Sequence, residues 1–476
     1  MINKRLISGF LALYFVSIGF QTAAAAAPAP IIIAETAILM DAETGKVLYG
    51  KDEHKRMFPA STTKILTALV ALDYLRPEEL IVIGSEIHNA SMDSSRAGHI
   101  VGESILVENL IRALMLPSGS ETSCVVALEV AKRATSNKEL SYSNAEKIFA
   151  DLMNKKAESL GAHNSSFVNP HGLHNPNHFT SAFDMALISN EVMKNDVFRK
   201  VVGEGAFNGN GAGLTPTDDS EEATTEETAE GDILTQDYTW YNRNLLLFDP
   251  TYSYPYTTGI KTGFTDEAGD SLAASAKKND KELIAVVFNA TDPARWLDSA
   301  ALFDYGFDNF NYELIQESDI VLDSIELQNY KLSEESTLEL ITNEEFGDIF
   351  SREQVNAIQH EIVFHSDFVV KNEETDDDTI RLKAPIAKGD TVAKITYTLH
   401  DTVLFEGDLL ASRDVEERTL RSDFDYYLAE FQSLAFSWLA IPFWLAGLAV
   451  IFVIAKIISF FNNRRNNHYR RIRRRY

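Results

Sequence analysis

At 476 residues and 45% hydrophobic content, the chain is long enough for two or three domains and apolar enough for a packed core. Its 70 Asp and Glu outweigh 43 Lys and Arg, for a net charge of −27. Most of the basic residues near the two termini have no acidic neighbours, so the stretch between is more acidic still, which argues against nucleic acid or anionic lipid as its partner. Cys124 is the single cysteine, so no intrachain disulfide can form, a pattern that favours a bacterial surface protein among exported ones.

In chain order, Lys4 and Arg5 precede the apolar stretch 6–20 and a small-residue tract over 23–27. This predicts a secretory signal peptide over residues 1–27, cut near Ala25 or Ala27. Two alternating runs, 36–41 and 46–49, flank Ala42-Glu43-Thr44-Gly45 and predict a β-hairpin. Pro59-Ala60-Ser61-Thr62-Thr63-Lys64 then opens the uncharged run 65–72, which predicts a helix buried on most of its faces. Ser61 is expected in its first turn, with Lys64 three residues on and on the same face. A serine hydroxyl becomes a nucleophile when a base takes its proton, and a lysine amine can be that base if burial or positive charge leaves it neutral. An isolated S-x-x-K occurs by chance in most long sequences, so partners elsewhere must support it.

Helical periodicity returns over 107–115, 123–134, 145–160 and 180–193, after mixed strand and loop over 80–106. Cys124 falls within the second of these as a small core residue. The turn-rich loop 167–173 contains Asn169-Pro170-His171-Gly172-Leu173. His171, His174 and His178 lack an accompanying carboxylate or cysteine ligand and read as structural hydrogen-bonding groups rather than a zinc site. Residues 208–232 hold Gly, Thr, Asp and Glu with almost no bulky side chain, and predict a flexible acidic insertion. Strands follow over 258–264, 271–276 and 283–289, then a helix over 296–307.

From 312 to 411 short alternating runs (318–327, 359–370, 391–399 and 402–410) predict a second, all-β domain. Its acidic run 373–378 lacks the spaced ligands of a calcium loop and reads as a solvated hairpin tip. Residues 412–430 form a charged stalk. The stretch 431–455 carries no charge and predicts a transmembrane helix over 431–456, ahead of a basic tail, 457–476, with seven arginines. The positive-inside bias places that tail in the cytoplasm and residues 28–430 outside, at the cell membrane.

Three stretches then combine: Ser61-Thr62-Thr63-Lys64 at a helix start, Ser118-Gly119-Ser120 in a loop before another helix, and Lys261-Thr262-Gly263 on a strand. Order and spacing resemble the penicillin-binding proteins and serine β-lactamases. With Asn169–Leu173 and His178, Tyr241-Asn242-Arg243-Asn244, Gly259–Thr265 and Ala268-Gly269, the chain resembles the low-molecular-weight D-alanyl-D-alanine carboxypeptidases of the penicillin-binding protein 5 type, from about residue 35 to 410. No Glu-x-x-Leu-Asn, the deacylating element of class A β-lactamases, is evident.

The resemblance implies an α/β transpeptidase-type domain over 28–311, then the β domain and the membrane helix. It implies Ser61 as nucleophile, Lys64 as base and Ser118 as proton relay, acting on peptidoglycan stem peptides ending in D-Ala-D-Ala, with β-lactams as covalent inhibitors. The backbone N–H groups of Ser61 and Phe264 would hold the oxyanion. Ser120, Lys261, Thr262, Gly263, Phe264 and Arg295 would bind substrate, Lys261 would help keep Lys64 neutral, and Gly263 would leave room for the substrate backbone. Arg295 matches a family arginine that binds the terminal carboxylate; a surface ion pair is its other reading. The mechanism needs no metal or cofactor. The alternatives are a catalytically weak wall-peptide-binding protein and a β-lactamase. In one departure, Ser120 stands where the family's middle motif usually has Asn, which offers both donor and acceptor at longer reach.

Overall fold

The computed structural model describes residues 28–213, 234–370, 380–436 and 441–472. The expected signal peptide, most of the acidic insertion and the acidic run 373–378 lie outside these residues. The chain divides into two compact units, 1–311 and 312–476.

The first unit starts with the expected hairpin, β1 (Thr36–Asp41) and β2 (Val47–Lys51). A 3-10 turn, Ala60–Thr62, then leads into α1 (Thr63–Tyr74), so Ser61 sits just ahead of the helix rather than in its first turn. Two short strands, β3 (Leu80–Val82) and β4 (Ser104–Leu106), pair before the helices α2 (Val107–Met115), α3 (Ser120–Thr135), α4 (Tyr142–Ser159), α5 (Ala182–Val192) and α6 (Asp196–Val202). Next, β5 (Ala206–Asn210) pairs with β6 (Asp237–Tyr241), so residues 208–210, expected in the acidic loop, belong to a strand. The unit ends with β7 (Thr257–Thr265), β8 (Gly269–Lys278), β9 (Lys281–Ala290) and α7 (Ala294–Asn309).

The main sheet has the order β2-β1-β9-β8-β7, antiparallel throughout. Helices cover both of its faces, which is why its strands read as unbroken apolar runs rather than as alternation. All six residues of β1 are buried. Ile38 and Met40 join the core shared with α1, whereas Leu39 faces α7, where Gly306 leaves no room for a side chain against Leu39 and Leu283. Helix α1 packs against α2, α3, α4 and α5, and its residues Thr63–Ala71 are all buried. A helix enclosed on every side needs no amphipathic pattern, and its sequence shows none.

The second unit is built from β10 (Phe310–Gln316), β11 (Ile320–Gln328), β12 (Thr337–Thr342), β13 (Phe346–Ser351), a short α8 (Arg352–Ala357), β14 (Gln359–Phe364), β15 (Val369–Val370), β16 (Arg381–Lys383), β17 (Thr391–Leu399) and β18 (Thr402–Ala411). Seven strands form one sheet, β14-β17-β18-β12-β11-β16-β15, and β10 pairs with β13. Its core gathers Leu338, Leu340, Leu382, Val392, Ile395 and Leu409. Helix α8 was not anticipated, although Ser351 and Gln354 form a capping box at its start. Helix α9 (Leu420–Phe436) takes in residues 420–430 of the expected stalk and the first residues of the expected span, whereas Val415, earlier in that stalk, joins the β core. Helix α10 (Ile441–Ile472) contains 24 residues, Ile441–Arg464, long and apolar enough to cross a membrane.

Two glycines bring distant segments onto the 3-10 turn that carries Ser61. A Cβ on Gly263, in β7, would lie 2.9 Å from the Pro59 carbonyl oxygen and 3.3 Å from Ala60 Cβ. This residue therefore admits the turn that carries Ser61, a reason for glycine separate from the expected room for substrate. Gly172 is in the left-handed region (φ 81°), and a Cβ there would lie 1.8 Å from the Ala60 carbonyl oxygen. Gly172→Ala is expected to destabilise the first unit by at least about 2 kcal/mol, lowering its Tm by about 4–8 °C in a thermal melt. An unchanged melt would mean that the loop can retreat without cost.

Candidate active site

The 3-10 turn, the N-terminal end of α3, strand β7 and the loop 169–173 converge on Ser61. A cleft of about 510 Å³ is lined by Ser61, Ser118 and Ser120, by Thr262, Gly263 and Phe264, and by Arg243 and Arg295, with Asp93, Ser94 and Ser95 on one wall. Every residue expected to face substrate lines this cleft except Lys261, which with Lys64 is buried beneath it.

Lys64 Nζ lies 3.0 Å from Ser61 Oγ, 3.4 Å from Ser120 Oγ and 2.8 Å from the carbonyl oxygen of His171. The longer Ser120 contact fits a short serine stem in the place of an asparagine. Burial lowers the Lys64 pKa to about 7; Glu121 opposes the shift, and the Arg243 guanidinium reinforces it. Repulsion between the buried Lys64 and Lys261 is mutual, so each makes the other harder to charge. The Lys64 charge, with those of Arg243 and Arg295, adds to burial in holding Lys261 well below the ordinary lysine range.

Ser118 occupies the left-handed region (φ 68°) immediately before α3. Its hydroxyl is buried at the cleft and has no hydrogen-bond partner among the described residues. A buried hydroxyl of this kind is costly unless a ligand or water completes it. Arg295 lines the cleft and is paired with Asp270 at 2.7 Å and with Asp292 at 3.5 Å.

Three contributors to the site were not assigned from sequence. The first is the loop 169–173. Its His171 carbonyl receives Lys64, and its Pro170 carbonyl accepts the Thr67 hydroxyl at 2.6 Å. His178 Nδ1 accepts from the Val168 N–H at 3.0 Å, which makes Nε2 the protonated nitrogen facing Thr63 Oγ1 at 2.8 Å. Burial holds both His171 and His178 down at about 3, so both are neutral props of the helix start. The second is Arg243. Asn242 anchors its segment to the Val202 and Glu204 carbonyls, Asn244 caps the turn that follows, and the guanidinium between them reaches Ser95 Oγ at 2.8 Å. An arginine between two asparagines was the available signal. The third is Glu121, a fully buried acid at the start of α3.

Residues 22–206 and 214–292 match the D-alanyl-D-alanine carboxypeptidase family of the peptidase S11 type, and residues 311–417 match the C-terminal domain of penicillin-binding protein 5. The chain is 28% identical to the D-alanyl-D-alanine carboxypeptidase DacF of Bacillus subtilis, over 81% of this chain and 86% of that protein. It is 32% identical to a D-alanyl-D-alanine carboxypeptidase of Streptomyces sp. K15, over 60% of this chain and 91% of that one. Among solved structures, the Streptomyces K15 DD-transpeptidase superposes with a TM-score of 0.51 at 30% identity, covering 59% of this chain and 99% of that one. The DacD carboxypeptidase of Francisella tularensis shares the fold at a TM-score of 0.60 and 24% identity, covering 82% of this chain and 95% of its own. By these matches, which follow the same two units, the chain belongs to the D-alanyl-D-alanine carboxypeptidase family and carries the penicillin-binding protein 5 type of C-terminal domain.

Proposed function

We propose that this protein is a membrane-anchored serine D-alanyl-D-alanine carboxypeptidase that trims the stem peptides of peptidoglycan and is acylated by β-lactams. The observation that carries this reading is the 3.0 Å contact between Ser61 Oγ and a buried lysine amine whose pKa is lowered to about 7. In the reaction Ser61 Oγ attacks the carbonyl between the two D-alanines while Lys64 takes its proton. The oxyanion is held by the backbone N–H groups of Ser61 and Phe264. As the C–N bond breaks, Ser118 passes a proton to the departing D-alanine amine, and water then hydrolyses the ester.

Ser120, Lys261, Thr262, Gly263 and Phe264 hold the peptide, and Arg295 receives its terminal carboxylate. The free Ser118 hydroxyl at the cleft supports its role, as does the guanidinium that Asp270 fixes there. The apolar stretch Ile441–Arg464 supports anchoring, with residues 28–430 on the outer side and the arginine-rich end in the cytoplasm.

Intact mass after incubation with a fluorescent penicillin tests the nucleophile. The unmodified chain should gain one adduct and Ser61→Ala none, with an unchanged melt. Ser118→Ala should still fold but acylate roughly 10²–10⁴-fold more slowly. Labelling of Ser61→Ala at the parent rate would move the nucleophile elsewhere. The acylation rate should also follow the free-base form of Lys64. It should climb about tenfold per pH unit below 7 and level off above about pH 8. A flat profile between about pH 5 and 9 would remove Lys64 as the base.

A further inference from the structure

Among the described residues, Glu121 is a fully buried acid that the reaction above does not use. Its Oε1 accepts two backbone N–H bonds, from Ala97 at 2.6 Å and from Gly98 at 2.8 Å, and its Oε2 is buried without a partner. Those two amides end the segment that supplies Asp93, Ser94 and Ser95 to the cleft. The same segment is tied to α3 by the Ser120 N–H donating to the Ser95 carbonyl at 2.8 Å, and Ser95 Oγ receives Arg243. One carboxylate thus locks the cleft wall to the helix that presents Ser120, and through Ser95 it steadies Arg243.

We propose that Glu121 is a positioning residue for acylation, fixing this wall and setting its carboxylate against the Lys64 amine. The inference rests on the serine-acylation reading above. Several groups face Lys64: Glu121 and Cys124 from α3, Arg243 from the segment after β6, Lys261 from β7 and His171 from the loop 169–173. Behind Cys124, Tyr142 donates to Glu146 on α4 at 3.1 Å. Of these neighbours only Glu121 and Cys124 favour the charged lysine, and burial raises the Cys124 thiol to about 12, so it carries no charge near neutrality. Glu121 therefore supplies the counter-charge that keeps the amine basic enough to take a proton from Ser61. Without it, burial and Arg243 would leave Lys64 neutral but weakly basic. A glutamine can keep the two N–H bonds while losing the charge, whereas an aspartate keeps the charge on too short a stem.

The test follows acylation of the full chain in detergent by a fluorescent penicillin between about pH 5 and 9. Glu121→Gln should move the acid limb down by about one pH unit and keep the plateau within about threefold. Glu121→Asp should leave the limb in place and lower the plateau about 10–100-fold, because the wall is no longer held. A Glu121→Gln profile that superposes on the parent profile, or a Glu121→Asp plateau equal to the parent's, overturns the inference. A loss of folding seen in melts would be confined to the variant concerned, and the other variant still decides. Failure of the parent chain to acylate at any pH would instead refute the serine mechanism itself.

Discussion

A lysine amine shut away from water beneath a serine hydroxyl is the constraint on which this structure turns. A charged ammonium in such a place carries a large desolvation cost, so the proton is held weakly. The three oxygens around Lys64 Nζ are matched to a neutral amine, which has two N–H donors and one lone pair. The His171 carbonyl can only accept and so takes one N–H, at 2.8 Å. Ser120 Oγ, at 3.4 Å, can take the other. The lone pair is then left for the Ser61 hydroxyl, at 3.0 Å. Base strength and direction thus come from the same burial, because a solvated lysine would keep its proton near neutral pH and offer no lone pair.

That arrangement needs four segments from distant parts of the chain to meet within a few ångströms, and their contacts leave little slack. Strand β7 and the loop 169–173 both press on the turn at Pro59–Ala60, each through a glycine. Ala60 and Ser118, neither of them glycine, both sit in the left-handed region, at φ 46° and 68°. Backbone of that kind persists where the surroundings over-determine it. Here they do so on both sides of Lys64, at the turn before α1 and at the turn before α3. Local strain and close packing therefore fall on the residues whose relative placement the chemistry requires.

Much of this was legible in the sequence, for reasons that differ by residue. Strand β17 was read to its true ends because its burial roughly alternates, and helix α2 because its apolar residues recur at helical spacing, although all its residues but Glu108 are buried. The Ser61, Ser118 and Lys261 stretches were legible because their residue types are specific in combination. The His171 carbonyl was not, since a backbone oxygen leaves no trace in the residue's identity. Glu121 matched no motif in the sequence, and only the fold shows it enclosed. The Lys64–Lys261 relation was expected as an effect of Lys261 on Lys64, and the same repulsion acts on Lys261. Short elements such as α6 and α8 lack enough turns to show a period, and their caps were the only signal.

The overall charge of −27 and the chemistry of the cleft look opposed, because the proposed ligand is itself an anion. Screening resolves the conflict. In physiological salt, exposed charges are felt over about 8 Å, so the distant acidic surface contributes little inside the site. The cleft holds Arg243, partly desolvated against Ser95, and Arg295, oriented by Asp270, together with the exposed and solvent-screened Asp93, Asp266 and Glu267. Partial burial strengthens those cations locally while leaving the sum over the chain unchanged. Bulk charge therefore speaks to extended partners such as nucleic acid, whereas the sign of a small ligand is decided by a few groups held out of water.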